Sequence, residues 1–186
     1  MDGPGIARSV TRIAYELLER QSNITDLVVL GIPTRGVVLG RRLVDTVESI
    51  SGSEIESGIL DIAPFRDDLP NRPSFTEVVL DVDPEVEGRT VVLIDDVLYT
   101  GRTIRAAFDA LTALGRVTAV YLAVLVDRGH REFPIRADFV GKNLPTSSYE
   151  RVSVQLIETD GRDGVWIEGT GNHSSRNAVA GSEMAG

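Results

Sequence analysis

Two adjacent carboxylates, Asp95 and Asp96, follow a short apolar run and precede a turn rich in hydroxyl groups and glycine. In that turn Gly101 lets the backbone approach an anion closely, and Thr100 and Thr103 add hydroxyl donors. A helix that starts after the turn would add unpaired N–H groups, which favour negative charge. These residue types and their spacing predict a phosphate cradle beside a pair of acids.

The two acids need a different partner, because they would repel a bare phosphate. Carboxylates accept hydrogen bonds from a diol, so sugar hydroxyls are the obvious partners of Asp95 and Asp96. A phosphate and a diol side by side describe a ribose 5-phosphate site.

Other phosphate-binding patterns fit this chain less well. A Walker-type loop needs Gly-Lys-Ser/Thr, and a dinucleotide-binding fold needs Gly-x-Gly-x-x-Gly after a strand; neither pattern occurs. An acidic pair at a strand end also occurs in phosphoacceptor receiver domains, but nothing there requires the turn at residues 100–103. A plain strand–helix connection, with acids near a helix start for dipole reasons, is the remaining alternative.

The elements that would position these groups follow from apolar periodicity. Residues 91–94 are fully apolar, which is typical of a central parallel strand covered on both faces, and residues 104–114 have helical spacing. The same order of apolar run, turn and amphipathic segment occurs over residues 27–50. This alternation predicts an α/β fold with a central, mostly parallel sheet flanked by helices. Such sheets bind ligands at their carboxyl edge, where Asp95 and Asp96 would lie.

The second half of the chain predicts an edge hairpin and a tail. Residues 152–156 and 165–167 resemble the two strands of the hairpin. The polar, proline-broken stretch 63–74 predicts a mobile loop. We expect a single domain over residues 1–168 and a disordered tail over 169–186, because Gly, Ser, Asn and Ala leave little there to bury.

Composition narrows the function classes. The 186 residues, 42% of them hydrophobic, suit one domain of ordinary size, and the absence of cysteine excludes thiol chemistry and Cys-based zinc sites. A net charge of −9 argues against broad, nonspecific nucleic-acid binding but leaves room for a local basic face. Because no secretory signal or membrane-length apolar run is visible, we expect a cytoplasmic protein.

Several motifs resemble a known family. Residues 92–103 resemble the ribose-phosphate signature of type I phosphoribosyltransferases. Tyr99 within it, together with residues 32–36, 124–132 and 140–143, is similar to the more specific pyrimidine operon regulatory (PyrR) family. The resemblance covers about residues 6–168 in the same order. It implies the type I phosphoribosyltransferase fold, with the edge hairpin forming a small hood.

The resemblance implies a reaction in which uracil and 5-phosphoribosyl 1-pyrophosphate give UMP and pyrophosphate, with Mg²⁺ bound by the pyrophosphate substrate. It implies that Asp95, Asp96 and Arg35 are catalytic. It assigns substrate contacts to Thr34 and Arg35 at the pyrophosphate, Arg66 and Arg72 in the closing loop, Asp95 and Asp96 at the ribose, Val97, Leu98, Tyr99, Thr100, Gly101, Arg102 and Thr103 at the 5-phosphate, and Arg128 and Val152 near the base. His130 is expected to have a structural or RNA-facing role.

The resemblance also implies UMP-dependent binding of the pyr operon mRNA leader, which would control transcription or translation. Residues 6–21 predict a helix whose polar side would contribute to such a surface, since arginine and aromatic side chains read single-stranded RNA. The implied RNA-binding residues are Thr11, Arg12, Tyr15, Arg20, Arg131, Arg136 and Lys142. The alternative is that these are solvated surface charges. A homodimer or larger homo-oligomer is also implied.

Three readings stay open at this point. The protein is a bifunctional regulator, an enzyme alone that uses uracil or another base, or a regulator whose catalysis has decayed to nucleotide sensing. Tyr15 stands where the family usually carries histidine, and Ser148-Tyr149 occupies a stretch that is usually more basic. These departures alter the RNA-facing surface without erasing it.

Overall fold

Five parallel strands form the central sheet of the computed structural model, which describes residues 1–21, 23–67, 85–169 and 176–177. They are β1 (Leu27–Gly31), β2 (Glu56–Ile59), β3 (Thr90–Leu98), β4 (Ala119–Asp127) and β5 (Phe139–Asn143). Their order is β2-β1-β3-β4-β5, and every neighbouring pair is parallel. The chain therefore moves to one side of β1 to form β2 and to the other side to form β3. This change of direction is the switch point at which open α/β sheets bind ligands.

Helices cover both faces of this sheet, as predicted. They are α1 (Gly3–Arg20), α2 (Arg35–Ser51) and α3 (Arg102–Leu114). Val92 and Ile94 belong to the apolar cluster under α1 and α2, whereas Val91 and Leu93 belong to the cluster under α3. Successive residues of β3 are thus buried on opposite faces, which explains why its sequence is apolar throughout.

The predicted edge hairpin is present and forms a second sheet. Its strands β6 (Glu150–Gln155) and β7 (Gly164–Gly169) are antiparallel, and β7 also pairs with the two-residue strand β8 (Arg176–Asn177). A single helical turn, α4 (Ile157–Asp160), lies in the connection between β6 and β7. This second sheet and α4 are called the hood below.

Two boundaries differ from the sequence-based expectation. β3 continues past the apolar residues 91–94 to Leu98, so Asp95 and Asp96 lie within the strand. α1 begins at Gly3 rather than near Ile6, because the Asp2 carboxylate accepts the N–H of Gly5 and caps the helix. The mobile loop predicted over residues 63–74 is described only as far as residue 67, and most of the predicted tail lies outside the described residues. Within the described part, no helix combines the length and apolar character needed to cross a membrane.

Candidate active site

Two strand–helix turns lie side by side at the carboxyl edge of the sheet. One joins β1 to α2 and the other joins β3 to α3, and the two strands are hydrogen-bonded neighbours. Thr34 at the start of α2 and Gly101 at the start of α3 form no side-chain capping hydrogen bond. The first amide of α3, that of Arg102, is accepted by the Thr100 hydroxyl at 3.4 Å. Apart from this bond, both helix N-termini face the same crevice without a side-chain cap from their N-cap residues, which suits a ligand that carries two separate anionic groups.

The turn after β3 follows the predicted course. Gly101 has a φ of 92°, a left-handed conformation that glycine adopts without strain, and it starts α3. A Cβ atom at this position would lie 3.3 Å from the Phe133 Cβ atom, so the turn is also closely packed. The carbonyl of Thr100 accepts the N–H groups of Glu132 and Phe133. The segment of residues 128–133 thus holds the backbone of this turn from one side.

The turn after β1 is packed directly against the end of β3. A Cβ atom on Gly36 would lie 2.3 Å from the carbonyl oxygen of Ile94, so only glycine fits there. The preceding peptide bond, Pro33–Thr34, is cis. This contact brings the start of α2, with Arg35, next to the strand that carries Asp95 and Asp96.

Burial dominates the electrostatics of the acid pair. Asp95 is buried, and its Oδ1 atom accepts the N–H of Asp96 at 2.9 Å. Burial raises the pKa of Asp95 well above its ordinary value, and the neighbouring charge of Asp96 raises it further, while Arg66 lowers it. Burial also raises the pKa of Asp96, and the charge of Arg35 opposes this effect. The charges of Arg35 and Arg66, two of the residues predicted to bind pyrophosphate, therefore act on the acid pair.

Arg35 bridges this acid pair and the hood. Its guanidinium donates two hydrogen bonds to Asp160, from Nε to Oδ2 at 3.0 Å and from Nη2 to Oδ1 at 2.8 Å. The hydrogen bond to Asp160 raises the pKa of Arg35, and the same bond is the main reason why the pKa of Asp160 lies far below its ordinary value. Asp160 is a site residue that the sequence analysis missed.

Residues 65–67, which end one described part of the chain, are anchored to α3. Phe65 is buried, and Asp67 pairs with Arg102 at 3.2 Å and with Arg105 at 3.7 Å. Arg102 also pairs with Glu132 at 2.6 Å. Arg66 lies near the acid pair, since its charge lowers the pKa of Asp95. Arg72, the second arginine predicted to close over the pyrophosphate, lies outside the described residues.

Arg128, which is predicted to lie near the base, contacts Tyr99, which is predicted to lie at the 5-phosphate. The buried guanidinium of Arg128 lies over the Tyr99 ring, 4.0 Å from its centroid, and donates to the Thr146 hydroxyl at 3.0 Å and the Ser147 carbonyl at 3.1 Å. His130 contacts the Thr146 carbonyl through Nε2 and meets the Tyr99 ring edge-on. Val152 is buried in β6 of the hood.

The residues predicted to bind RNA do not form one cluster. A cavity of about 740 Å³ between α1, β5 and β7 is lined by Arg12 and Lys142, and a shallower one of about 530 Å³ is lined by Thr11, Arg12 and Tyr15. The larger cavity also contains Arg8 and Trp166, which the sequence analysis did not select. Arg8 and Trp166 are far apart in the chain and meet only in the folded protein, so no local sequence pattern indicated that they line one cavity.

The other predicted RNA-binding arginines have different surroundings. Arg20 pairs with Asp138 at 3.0 Å and lies over the Tyr121 ring at 4.5 Å. Arg136 is exposed after the residue 128–133 segment. Arg131 does not line either cavity, because its guanidinium is bound within the loops of the candidate active site.

The fold and the crevice define a class of protein, which comparison with known proteins bears out. Residues 1–155 match the model of the phosphoribosyl transferase domain. A hypoxanthine phosphoribosyltransferase from Staphylococcus aureus shares the fold with a TM-score of 0.63 and 19% identity, covering 85% of this chain and 84% of that one. The enzyme of the same name from Trypanosoma cruzi, in complex with IMP, has a TM-score of 0.63 and 15% identity, with 86% and 83% covered. The chain is a member of the phosphoribosyl transferase domain family, with the type I fold.

Closer relatives identify the branch of that family. The bifunctional protein PyrR of Streptomyces coelicolor is 58% identical over 168 residues, which cover 90% of this chain and 87% of that protein. The bifunctional proteins PyrR of Streptococcus uberis and Clostridioides difficile are 53% and 50% identical, and each match covers 90% of this chain and 94% and 96% of the relative. The chain belongs to the PyrR family.

Proposed function

We propose that this protein transfers the phosphoribosyl group of 5-phosphoribosyl 1-pyrophosphate to uracil, and that it also binds the leader of pyr operon mRNA when UMP is bound. The observation that carries the enzymatic half is the pair of helix starts after the adjacent strands β1 and β3, neither capped by the side chain of its N-cap residue, with Asp95 and Asp96 near the end of β3. The substrate has the matching order of groups, a 5-phosphate, a diol and a 1-pyrophosphate. The family name of the relatives, bifunctional protein PyrR, supports the regulatory half.

Each part of the substrate then has a proposed partner. The turn after β3 holds the 5-phosphate through its amides and hydroxyls, and Asp95 and Asp96 accept hydrogen bonds from the ribose hydroxyls. The turn after β1 holds the pyrophosphate through Thr34 and Arg35, and we assign Arg66 and Arg72 to the same group. The uracil ring lies by Arg128 and Val152.

The charges of the site match the charges that develop during transfer. When the bond from C1 to the pyrophosphate oxygen breaks, positive charge builds on the ribose and negative charge on the departing group. Asp95 and Asp96 stabilise the ribose in their ionised forms, and Arg35 stabilises the pyrophosphate. Closure of the hood and loop would strengthen these contacts by excluding water.

Magnesium fits this site as a companion of the substrate. In the described part of the chain there is no group of three or more His, Cys, Asp or Glu side chains that would hold a metal ion. Mg²⁺ is commonly held by one or two carboxylates together with substrate phosphates, so Asp95 and Asp96 with the pyrophosphate make a suitable donor set. Bound there, the ion would neutralise part of the charge on the pyrophosphate.

The proposed RNA surface includes the side of α1 that carries Thr11, Arg12 and Tyr15, and extends to Lys142. Tyr15 is 53% exposed, which leaves its ring free to stack on an unpaired base. The guanidinium of Arg12 donates to the carbonyls of Val140 and Gly141 and so joins α1 to β5 within this surface. A local patch of this kind is compatible with an acidic protein.

The test follows product formation and RNA binding on the same preparation. Radiolabelled uracil, 5-phosphoribosyl 1-pyrophosphate and Mg²⁺ should give UMP, and hypoxanthine in place of uracil should give no nucleotide. The double variant Asp95→Asn with Asp96→Asn should lose turnover while its circular dichroism spectrum is unchanged. In gel shifts, the leader RNA of the protein's own operon should bind more tightly with UMP. Turnover of hypoxanthine alone would contradict the proposed substrate, and near-normal turnover of the double variant would contradict the site.

A further inference from the structure

The guanidinium of Arg131 is bound on every nitrogen within the chain. Nε donates to the Ile135 carbonyl at 2.9 Å, and Nη1 lies 2.8 Å from the Tyr99 carbonyl, 3.2 Å from that of Gly129 and 3.3 Å from that of Leu98. Nη2 donates to the Asp127 carboxylate, which compensates the charge. An arginine bound in this way can offer RNA only the second N–H of Nη2 unless it leaves these partners.

The carbonyls that Arg131 contacts belong to the turn after β3. The Leu98 carbonyl also accepts the N–H of Arg128 at 3.1 Å, and the Thr100 carbonyl accepts the N–H groups of Glu132 and Phe133 at 2.9 and 3.0 Å. Three consecutive carbonyls, those of residues 98, 99 and 100, are therefore held from one side, by the segment that follows β4.

This arrangement fixes where the amides of the turn point. The peptide bonds of this turn are trans. In a trans peptide the carbonyl of one residue and the N–H of the next point in opposite directions. Because the carbonyls of Leu98, Tyr99 and Thr100 face the segment after β4, the amides of the next three residues, 99–101, face away from it. These are the amides available to an anion in the turn.

We propose that Arg131 is a positioning residue for the phosphate-binding turn, and that it aims the amides of residues 99–101 at the 5-phosphate. This inference rests on the proposed function and gives that site a residue outside the family signature. Asp127 completes the device, because its Oδ1 atom accepts the N–H of Gly129 while its Oδ2 atom accepts from Arg131. The pair thus links the end of β4 to the end of β3.

Arginine suits this position better than lysine. The guanidinium carries five N–H donors in a rigid fork, and here they reach the Ile135 carbonyl, the Tyr99 carbonyl and the Asp127 carboxylate on different sides. An ammonium group has three donors on a single atom and would reach only part of this set. Arg131→Lys should therefore keep part of the effect, and Arg131→Ala none.

The experiment measures ribose 5-phosphate and pyrophosphate separately, by calorimetry on the full chain. Arg131→Ala should weaken ribose 5-phosphate binding about tenfold or more, since small displacements of positioned groups have large effects, and Arg131→Lys should give an intermediate value. Pyrophosphate binding should change less than about twofold. In steady-state kinetics the KM for 5-phosphoribosyl 1-pyrophosphate should rise while that for uracil stays the same. The matched control is Arg116→Ala, an exposed arginine whose carbonyl accepts the N–H of Gly88 just before β3, at the opposite end of that strand.

Different outcomes separate this inference from the proposed function. Unchanged ribose 5-phosphate binding in both Arg131 variants would overturn the inference alone. Equal weakening of ribose 5-phosphate and pyrophosphate would overturn it as well, because it would indicate a general distortion. Failure of the unaltered protein to bind ribose 5-phosphate would overturn the proposed function and this inference together. If Arg131→Ala fails to fold by circular dichroism, Arg131→Lys and Asp127→Asn decide the question by the same two affinities.

Discussion

The guanidinium of Arg35 and the carboxylate of Asp160 face each other in a two-point ion pair, although 125 residues separate them in the chain. Arg35 starts α2, and Asp160 ends α4 in the hood. The Asp160 carboxylate also accepts the N–H of Leu156 and the hydroxyl of Thr159. The arginine that we propose for pyrophosphate is therefore bound through Nε and Nη2 to an internal anion, with which pyrophosphate competes.

Removal of that internal anion should improve pyrophosphate binding. Asp160→Asn keeps an oxygen acceptor for the Leu156 N–H but loses the charge that competes for Arg35. We expect pyrophosphate to bind about three- to tenfold more tightly, since one charge-assisted contact no longer has to be broken. Titration calorimetry measures the change. The matched control is Glu158→Gln on the same helical turn, because Glu158 pairs with Arg42 instead of Arg35. Weaker binding in Asp160→Asn would mean that Asp160 supports the pyrophosphate site instead of competing with it.

The buried charge of Asp95 should make the protein less stable as the pH rises. Burial raises the pKa of Asp95 in the folded state above its unfolded value, so between these two pKa values the folded protein binds more protons. Stability therefore decreases as the pH rises through that interval. Asp95→Asn keeps the acceptor for the Asp96 N–H and removes the buried charge. It should raise the melting temperature at pH 7.5 by about 2–4 °C for each kcal/mol by which the free energy of unfolding increases. This increase in melting temperature should become smaller towards acidic pH, where Asp95 of the unaltered protein is protonated.

Thermal unfolding across a pH series tests this prediction. Asp45→Asn is the control, since Asp45 is exposed on α2. The Asp95 variant should lose turnover while it gains stability, which is the trade-off expected where a binding site holds an unfavourable charge. A lower melting temperature at pH 7.5 would show that the carboxylate is stabilised in the folded state.

Arg42 should contribute measurably to holding the hood. It pairs with Glu158 at 2.5 Å and with Asp163 at 2.7 Å, and these hydrogen bonds raise its pKa further above the ordinary arginine value. Because Arg42 is largely covered and both contacts link α2 to the hood, Arg42→Gln should lower the free energy of unfolding by about 1–2 kcal/mol. Urea denaturation measures it, with Arg41→Gln as the exposed neighbour for comparison. Equal stability of the two variants would contradict a role for the pairs.

Lys142 should contribute to RNA affinity through charge. It is the only lysine of the chain, exposed at the end of β5 and part of the larger cavity. Lys142→Gln should weaken leader RNA binding and reduce the slope of log affinity against log salt by about 0.7, the value for one phosphate contact on a single strand. Filter binding at several salt concentrations measures both. Arg116→Gln is the control, because Arg116 follows α3 on the opposite face of the sheet. An unchanged slope of log affinity against log salt would contradict a contact between Lys142 and the RNA.

The local sequence pattern was sufficient to predict much of the fold and the position of the acid pair. The apolar run of β3, the acid pair and the glycine turn lie within 13 consecutive residues, 91–103, and the fold prediction of a parallel sheet flanked by helices is confirmed. The hairpin was also visible, because its two strands and turn are close in the chain. Patterns of this kind depend on neighbours in sequence, which is why they can be interpreted without coordinates.

Partners that come from distant segments could not be predicted in this way. Arg131 belongs to a basic stretch and was assigned to RNA, yet its acceptors include carbonyls 32 and 33 residues away, and a carbonyl leaves no trace in the sequence. Asp160 was missed for the same reason, since its pairing with Arg35 depends on how the hood is placed. The RNA assignments of Thr11, Arg12, Tyr15, Arg20, Arg131, Arg136 and Lys142 all stay predictions.

The close approach of Gly36 to the Ile94 carbonyl limits how this site can be altered. The carbonyl belongs to the residue directly before Asp95, so a methyl group at position 36 would push on the strand that carries both acids. A displacement of the turn after β1 would consequently also displace the acid pair. Attempts to accept a bulkier sugar donor should leave this junction intact and seek space in the hood, whose strands belong to a separate sheet.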